Sequence, residues 1–187
     1  MQSVTGIVLA GGLGRRMGGL DKGLQPFRGK PMVQWAIERL APQVAELVIN
    51  ANQNRAEYER FGHRVVADEL SGFAGPLAGL HAGMKAASHE VVVTVPCDSP
   101  FLPPDLVARL QQSLGPCELA VAKTGAQPHP VFSLVRRSVL SHLEAFLAGG
   151  GRKIDAWYAT LKVVEVAFDD EEDAFRNINT LEELRHA

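Results

Sequence analysis

Short apolar runs rich in β-branched residues alternate along this chain with segments of helical periodicity. Three runs, VTGIVLA (4–10), ELVINAN (46–52) and EVVVTVPCD (90–98), predict strands. The segments PMVQWAIERLAPQV (31–44) and PLAGLHAGMKAAS (76–88) predict helices, each opening on a proline. This alternation is typical of a parallel sheet with helices on both faces. We therefore predict an α/β fold that is Rossmann-like, with three layers (α/β/α) and a mostly parallel central sheet.

The carboxyl ends of the predicted strands are the places to look for a ligand site. In open parallel sheets, ligands bind in the crevice beyond those ends. Four parts of the chain fall there: residues 11–23, residues 50–52, Asp68 and residues 97–100. We expect these four parts to meet at one edge of the sheet.

The second half of the chain is less regular, although strand-like and helix-like segments continue. A length of 187 residues suits one domain. We predict a single domain over 1–187, with an N-terminal part at about 1–115 and a C-terminal part at about 116–187. The acidic run DDEED (169–173) is expected to be a solvated loop, and GGGRK (149–153) a mobile basic loop.

Composition excludes several classes of function. The formal net charge is −2, so nothing favours bulk binding to nucleic acid or to a membrane surface. No apolar run approaches the roughly 20 residues of a membrane helix. The two cysteines, Cys97 and Cys117, have neither zinc-ligand spacing nor the density of a disulfide scaffold, so we expect a reducing, cytoplasmic setting.

A glycine-rich loop follows the first predicted strand directly. Six glycines lie between Gly11 and Gly23, together with three cations, Arg15, Arg16 and Lys22. Glycines let a ligand approach the main chain closely, and successive amides can then point at a phosphate. Pre-placed cations can also stabilise charge that builds up on phosphate oxygens during transfer.

The loop matches neither of the two familiar phosphate-binding fingerprints. A dinucleotide fingerprint G-x-G-x-x-G fails because Met17 stands where its third glycine should be. A P-loop fails because Pro31 follows Lys30 and Leu24 stands where its first glycine should be. The pattern therefore indicates another kind of phosphate site.

Five segments in order resemble the molybdenum cofactor guanylyltransferase family. They are LAGGLGRRMGGLDKGL, VINAN, VADELSGFAGPLAGL, VPCDSPFLPPDL and FRNINTLEEL, which together span 9–184. The resemblance implies a nucleotidyltransferase fold and the transfer of GMP from GTP to the terminal phosphate of molybdenum-bearing molybdopterin, with release of pyrophosphate. GTP would be bound by the N-terminal part and the pterin by the C-terminal part.

The resemblance also implies roles for individual residues. Arg16, Lys22 and Asp98 would be catalytic, with the two cations facing the phosphates and Asp98 ligating Mg²⁺. The other nucleotide-binding positions would be Leu9, Ala10, Gly11, Gly12, Gly14, Asn50, Asp68, Gly75 and Gly79. Three structural alternatives stay open: Asp98 capping a turn, Asp68 as an exposed loop acid, and Asn50 satisfying a turn.

The pterin side is implied more loosely. Asn177 and Asn179 flank Ile178, so in an extended segment they face the same way and could hydrogen-bond a heterocycle. Arg152 and Lys153 could contact the acceptor phosphate. His129 could contact the pterin, and it could equally be a plain surface residue. The expected partners are the two substrates, with transient contacts to cofactor-biosynthesis proteins or molybdoenzyme chaperones.

Three alternative functions stay open, and the first two share the same loop type. One is a cytidylyltransferase acting on the same pterin, and another is a sugar-phosphate nucleotidyltransferase. The form L-A-G-G, rather than L-A-A-G, resembles the guanylyl branch. A GTP-binding regulator without catalysis is the third, and the presence of Arg16, Lys22 and Asp98 argues against it.

Overall fold

The computed structural model describes residues 2–11, 21–69 and 75–178. The strands are β1 Val4–Leu9, β2 Pro26–Phe27, β3 Lys30–Pro31, β4 Glu46–Asn50, β5 Arg64–Val66, β6 Val91–Pro96, β7 Leu119–Thr124, β8 Gln127–Arg136 and β9 Val163–Ala167. The helices are α1 Met32–Leu40, α2 Arg55–Glu59, α3 Pro76–Ala86, α4 Leu106–Leu114, α5 Leu140–Ala148 and α6 Ile154–Tyr158. Short 3-10 helices cover Ala41–Gln43, Arg137–Val139 and Asp169–Phe175.

Seven of these strands form one sheet in the order β5-β4-β1-β6-β8-β7-β9. Within the described ranges, β8 alone runs antiparallel to its neighbours β6 and β7, and every other pairing in this sheet is parallel. The predicted mostly parallel sheet is therefore confirmed. β2 and β3 form a separate two-stranded hairpin that the periodicity did not predict.

Helices cover both faces of the sheet, which confirms the three-layer prediction. Buried side chains of α1 and α4 pack on one face, and those of α3 and α5 pack on the other. β6 supplies both cores: Val91, Val93 and Val95 point to the first face and Val92 to the second. A strand covered on both faces must be apolar at every position, which accounts for the unbroken apolar run in β6.

The strand register brings the expected carboxyl ends together. Leu9 of β1 lies beside Asn50 of β4 on one side and Pro96 of β6 on the other, and Asn50 pairs with Val66 of β5. The residues that follow these four strands therefore emerge at one edge of the sheet. No helix in the described part of the chain is long and apolar enough to cross a membrane.

The acidic run differs from the sequence expectation. Residues 169–173 begin a 3-10 helix instead of forming a plain solvated loop. Two tertiary contacts fix it: Asp169 accepts a hydrogen bond from the amide of Gly125, and Asp170 forms an ion pair with Arg109 at 2.9 Å. Neither contact is visible in the local sequence pattern.

Candidate active site

A cleft of about 340 Å³ opens at the carboxyl edge of the sheet. Most of the predicted site residues that the structure describes line it: Leu9, Ala10, Gly11, Lys22, Asn50, Asp68, Gly75, Asp98 and Asn177. Gly79 lies beneath Asn50 in α3. Gly12, Gly14, Arg16 and Asn179 lie outside the described residues.

A larger cavity of about 540 Å³ lies beside the acidic 3-10 helix, lined by residues that include Arg28, Phe101 and 169–174. Its carboxylates would repel a triphosphate, so volume is a poor guide to the nucleotide site here. The smaller cleft combines main-chain groups, amides, a lysine and carboxylates at the strand ends. That combination suits a nucleotide better.

On one side of the cleft, two asparagines hold the carboxylate of Asp68. Asn50 donates through Nδ2 to Asp68 Oδ1, and Asn52 donates through Nδ2 to Asp68 Oδ2, both at 2.9 Å. Asn52 also accepts from the amide of Asp68 at 2.8 Å and donates to the carbonyl of Gly11 at 3.0 Å. The carboxylate is thus fixed at the edge of the cleft.

Asn52 is a further candidate site residue, which the sequence analysis did not single out. It follows Asn50 by two positions, and alternate residues of an extended segment face the same way. That spacing was the signal that could have found it. Asn50 is buried, whereas Asn52 is exposed. The carboxylate of Asp68 therefore accepts one hydrogen bond from the buried side and one from the solvent side.

Gly79 allows α3 to approach this network closely. A Cβ at Gly79 would lie 2.3 Å from Asn50 Oδ1 and 2.8 Å from Leu9 Cδ2. A Cβ at Gly83, one turn further along α3, would lie 2.5 Å from Ile7 Cδ1, in the core and away from the cleft. The two glycines therefore offer a matched pair of substitutions.

We expect Gly79→Ala and Gly83→Ala each to cost about 1–3 kcal/mol of stability, because each overpacks a tight contact. Only Gly79→Ala is expected to raise the KM for the nucleotide, since only it displaces Asn50. Thermal unfolding and nucleotide titration of both variants would test this. An equal rise in KM in both variants would contradict the assignment of Gly79 to the site.

On the other side of the cleft, Lys22 and Asp98 form an ion pair between Nζ and Oδ2. Asp98 follows β6, and its other oxygen, Oδ1, is buried and accepts no hydrogen bond from the described residues. A buried carboxylate oxygen without a donor is costly unless a cation or another donor meets it.

The unsatisfied Oδ1 of Asp98 could be met by a metal ion. In residues 2–11, 21–69 and 75–178, no group of three or more His, Cys, Asp or Glu side chains could hold a metal. Magnesium is usually held by one or two carboxylates together with substrate phosphates, and not by an all-protein cage. Asp98 therefore fits a divalent cation that arrives with a phosphate ligand.

The C-terminal segment closes the cleft beside Asp98. The amide of Ile178 donates to the carbonyl of Asp98 at 3.0 Å, and Ser99 donates through Oγ to Asn177 Oδ1 at 2.5 Å. Ile178 is buried against Phe27 and Met32. Residues on the predicted pterin side are thus tied directly to the predicted metal ligand.

Cys97 lines the cleft but lacks the properties of a nucleophile. It is a free, buried thiol, and burial, followed by the nearby charge of Asp98, raises its pKa far above the usual range. A thiol must ionise to attack. Its burial in the core indicates a packing role.

The other three candidates, His129, Arg152 and Lys153, are not among the residues that line the cleft in the described part of the chain. His129 stacks on Phe175 with ring centres 4.6 Å apart and hydrogen-bonds Thr124 at 2.8 Å, and burial lowers its pKa. Arg152 donates to the carbonyls of Leu147 and Gly151. Lys153 is exposed at the start of α6.

Known proteins with similar sequences belong to one family. Residues 6–163 match the MobA-like NTP transferase domain. The molybdenum cofactor guanylyltransferase of Cupriavidus taiwanensis is 54% identical over 189 residues, which cover 97% of this chain and 94% of the relative. The guanylyltransferase of the same name from Shewanella putrefaciens is 47% identical, with 96% and 93% covered.

Solved structures agree with this result. Molybdopterin-guanine dinucleotide biosynthesis protein A from Archaeoglobus fulgidus superposes with a TM-score of 0.80 at 27% identity, covering 97% of this chain and 95% of the other. A 4-diphosphocytidyl-2C-methyl-D-erythritol synthase from Anaerococcus prevotii, at 13% identity, has the same fold, with a TM-score of 0.76 over 99% of this chain and 94% of the other. With about half of its residues identical to curated relatives over nearly its whole length, this chain belongs to the molybdenum cofactor guanylyltransferase family of MobA-like nucleotidyltransferases.

Proposed function

We propose that this protein transfers GMP from GTP to the terminal phosphate of molybdenum-bearing molybdopterin and releases pyrophosphate. The observation that carries the proposal is one cleft that joins the Asn50–Asn52–Asp68 network to the Lys22–Asp98 pair. The Asn50–Asn52–Asp68 network can recognise a base, and the Lys22–Asp98 pair can contact phosphates. The names of the relatives supply the two substrates.

Asp68 is the group proposed to recognise guanine. The ring N–H and the 2-amino group of guanine are adjacent donors, and a carboxylate can accept from both. The two asparagine amides occupy one lone pair on each oxygen of Asp68, which leaves capacity for further donors. A cytosine presents an acceptor where guanine presents its ring N–H, so this network favours GTP over CTP.

Lys22 and Arg16 are proposed to face the triphosphate. Asp98 would hold Mg²⁺ through its carboxylate, and the ion, when bound, would offset charge on the reacting phosphates. Lys22 contacts Asp98, so its ammonium lies beside the place where the phosphates and the ion would meet. Leu9, Ala10 and Gly11 would contact the nucleoside through the end of β1.

The proposed reaction is a direct in-line displacement. An oxygen of the acceptor phosphate attacks the α-phosphorus of GTP, a new P–O bond forms, and the bond from the α-phosphorus to the pyrophosphate oxygen breaks. The second pKa of a phosphate monoester is about 6, so the attacking oxygen is already ionised near pH 7. No general base is needed, and the chain's work is positioning and charge stabilisation.

The acceptor is proposed to bind on the C-terminal side of the cleft. Asn177 lies there beside Asp98, and Asn179, Arg152 and Lys153 remain candidates for contacts with the pterin or its phosphate. In this proposal, residues at about 1–115 bind GTP and those at about 116–187 bind the pterin. A cytoplasmic location, in which the two free cysteines stay reduced, and hand-over to chaperones or biosynthetic partners also remain part of it.

The proposal is tested by incubating the protein with molybdenum-bearing molybdopterin, Mg²⁺ and each of GTP, CTP, ATP and UTP in turn while pyrophosphate release is followed. We expect release with GTP in clear preference to the other three. A preference for CTP would overturn the assignment of the base. Tight GTP binding with no pyrophosphate would support a regulator instead.

The role of Asp68 gives a sharper prediction. Asp68→Asn is expected to lower kcat/KM for GTP by about 10²-fold, because an amide donor would then face the donors of guanine. The preference for GTP over inosine triphosphate, which lacks the 2-amino group, should shrink towards one. Glu69→Gln, at the exposed neighbouring acid, is the matched control and should change neither value. An unchanged preference in Asp68→Asn would remove Asp68 from base recognition.

A further inference from the structure

Asp21 lies in the cleft and is held by donors from a distant part of the chain. Its Oδ1 accepts from the hydroxyl of Tyr58 at 2.6 Å and from the amide of Gly23 at 3.2 Å. Its Oδ2 accepts from Asn54 Nδ2 at 2.9 Å. We call Asp21, Asn54 and Tyr58 the Asp21 anchor.

The Asp21 anchor contains hydrogen bonds that a local turn does not need. The bond from Gly23 to Asp21 is a local turn contact of the kind that Asp often makes. The bonds from Asn54 and Tyr58, by contrast, cross 33 and 37 positions of the chain. They join the segment that carries Lys22 to α2 and its N-cap.

Both distant donors are held in place by their own surroundings. Tyr58 is fully buried, and burial, followed by the nearby Cys97 and the bond to Asp21, raises its pKa well above the usual range. Its hydroxyl therefore stays a donor at any physiological pH. Asn54 has a left-handed backbone with φ of 51° at the cap of α2, a conformation that Asn tolerates better than most residues.

Lys22 lies between two fixed neighbours. Asp21 on one side is tied to Tyr58 and Asn54. On the other side, Gly23 lies so close to α2 that a Cβ there would come within 2.6 Å of the Tyr58 hydroxyl. The peptide of Lys22 therefore has little freedom, and its ammonium reaches Asp98.

We propose that Asp21 and Tyr58 are positioning residues that hold the ammonium of Lys22 against Asp98. That the held ammonium acts on the reacting phosphates of GTP rests on the proposed function. Asp21 makes no chemical contribution of its own in this scheme, because its oxygens are already engaged with neutral donors. A displacement of about 1 Å at a charged group can cost about 10²-fold in rate, so a fixed anchor has value for catalysis.

Three variants dissect the anchor. Tyr58→Phe removes the distant hydroxyl and keeps the ring in the core. Asp21→Ala removes all three acceptor bonds, whereas Asp21→Asn keeps an acceptor for Tyr58 and loses the one for Asn54. Glu59→Gln, which breaks the exposed ion pair with Arg55 on the same helix, is the control.

Steady-state kinetics with GTP and molybdenum-bearing molybdopterin form the first measurement. We expect kcat to fall about 10-fold in Tyr58→Phe, more in Asp21→Ala and less in Asp21→Asn, with KM for GTP within about 3-fold throughout. Glu59→Gln should match the wild type. Equal kcat in all folded variants would overturn the proposal.

The second measurement does not depend on turnover. Trace acetylation followed by mass spectrometry reports the reactivity of Lys22 relative to the exposed Lys153. We expect that ratio to rise about threefold in Tyr58→Phe and Asp21→Ala, as the ion pair with Asp98 loosens, and to stay constant in Glu59→Gln. An unchanged ratio in variants that remain folded by circular dichroism would overturn the anchor, whereas a wild type that releases no pyrophosphate would overturn the proposed function alone.

Discussion

The Asp98→Ala variant is expected to lose about 10³-fold or more in kcat while it keeps its fold. Asp98 presents one oxygen to Lys22 and a second, buried oxygen that no described residue satisfies. If a divalent ion meets that oxygen, the substitution removes charge stabilisation of several kcal/mol at the reacting phosphates, and each 1.36 kcal/mol is tenfold in rate. Pyrophosphate release at a series of Mg²⁺ concentrations measures the loss.

The free energy of unfolding should change little in this variant, because the lost ion pair with Lys22 is offset by the removal of a buried, unsatisfied oxygen. Asp105→Ala is the matched control: Asp105 is an exposed acid in the same segment, 3.8 Å from Arg109, and its removal should leave kcat unchanged. Near-normal turnover of Asp98→Ala at saturating Mg²⁺ would contradict the assignment of Asp98 as the metal-holding residue.

The Lys22→Ala variant is expected to lose about 10² in kcat, with a smaller change in KM for GTP. An ammonium that meets charge as pyrophosphate departs stabilises the transition state more than the bound substrate, so its loss falls mainly on kcat. Rapid-quench measurement of a single turnover would show whether the chemical step itself has slowed. Lys22→Met, which keeps most of the stem, should behave like Lys22→Ala if charge is what matters.

A suitable control for Lys22 is Lys85→Ala. Lys85 also pairs with a carboxylate, that of Glu69, but on the exposed side of α3. Its loss should leave kcat unchanged, since exposed ion pairs contribute little and this one lies outside the cleft lining. A fall of equal size in both lysine variants would indicate a general effect of charge and not a local one.

The layered fold could be predicted because its causes are local. A strand covered on both faces, such as β6, must be apolar throughout, and the chain between such strands must form helices with one apolar side. Once the strands are parallel, their carboxyl ends meet at one edge. Asn50, Asp68 and Asp98 could therefore be brought together from sequence alone.

Other features could not be predicted because they depend on contacts between distant residues. The antiparallel course of β8 and the hairpin of β2 and β3 follow from pairing partners that periodicity does not specify. The Asp21 anchor depends on the hydroxyl of Tyr58, and the sequence pattern around this aromatic residue does not indicate a polar partner 37 positions away. The family resemblance indicates Lys22, whereas the contacts that we propose to hold it are visible only in the structure.

The most direct test of the central claim, GMP transfer in this cleft, is to follow separately the α- and γ-phosphates of GTP. The protein would be incubated with molybdenum-bearing molybdopterin, Mg²⁺ and GTP labelled at one or the other position. We predict that the α-label appears in a guanine dinucleotide of the pterin and the γ-label in pyrophosphate, in equal amounts. Release of the γ-label as inorganic phosphate, with no α-label on the pterin, would contradict it.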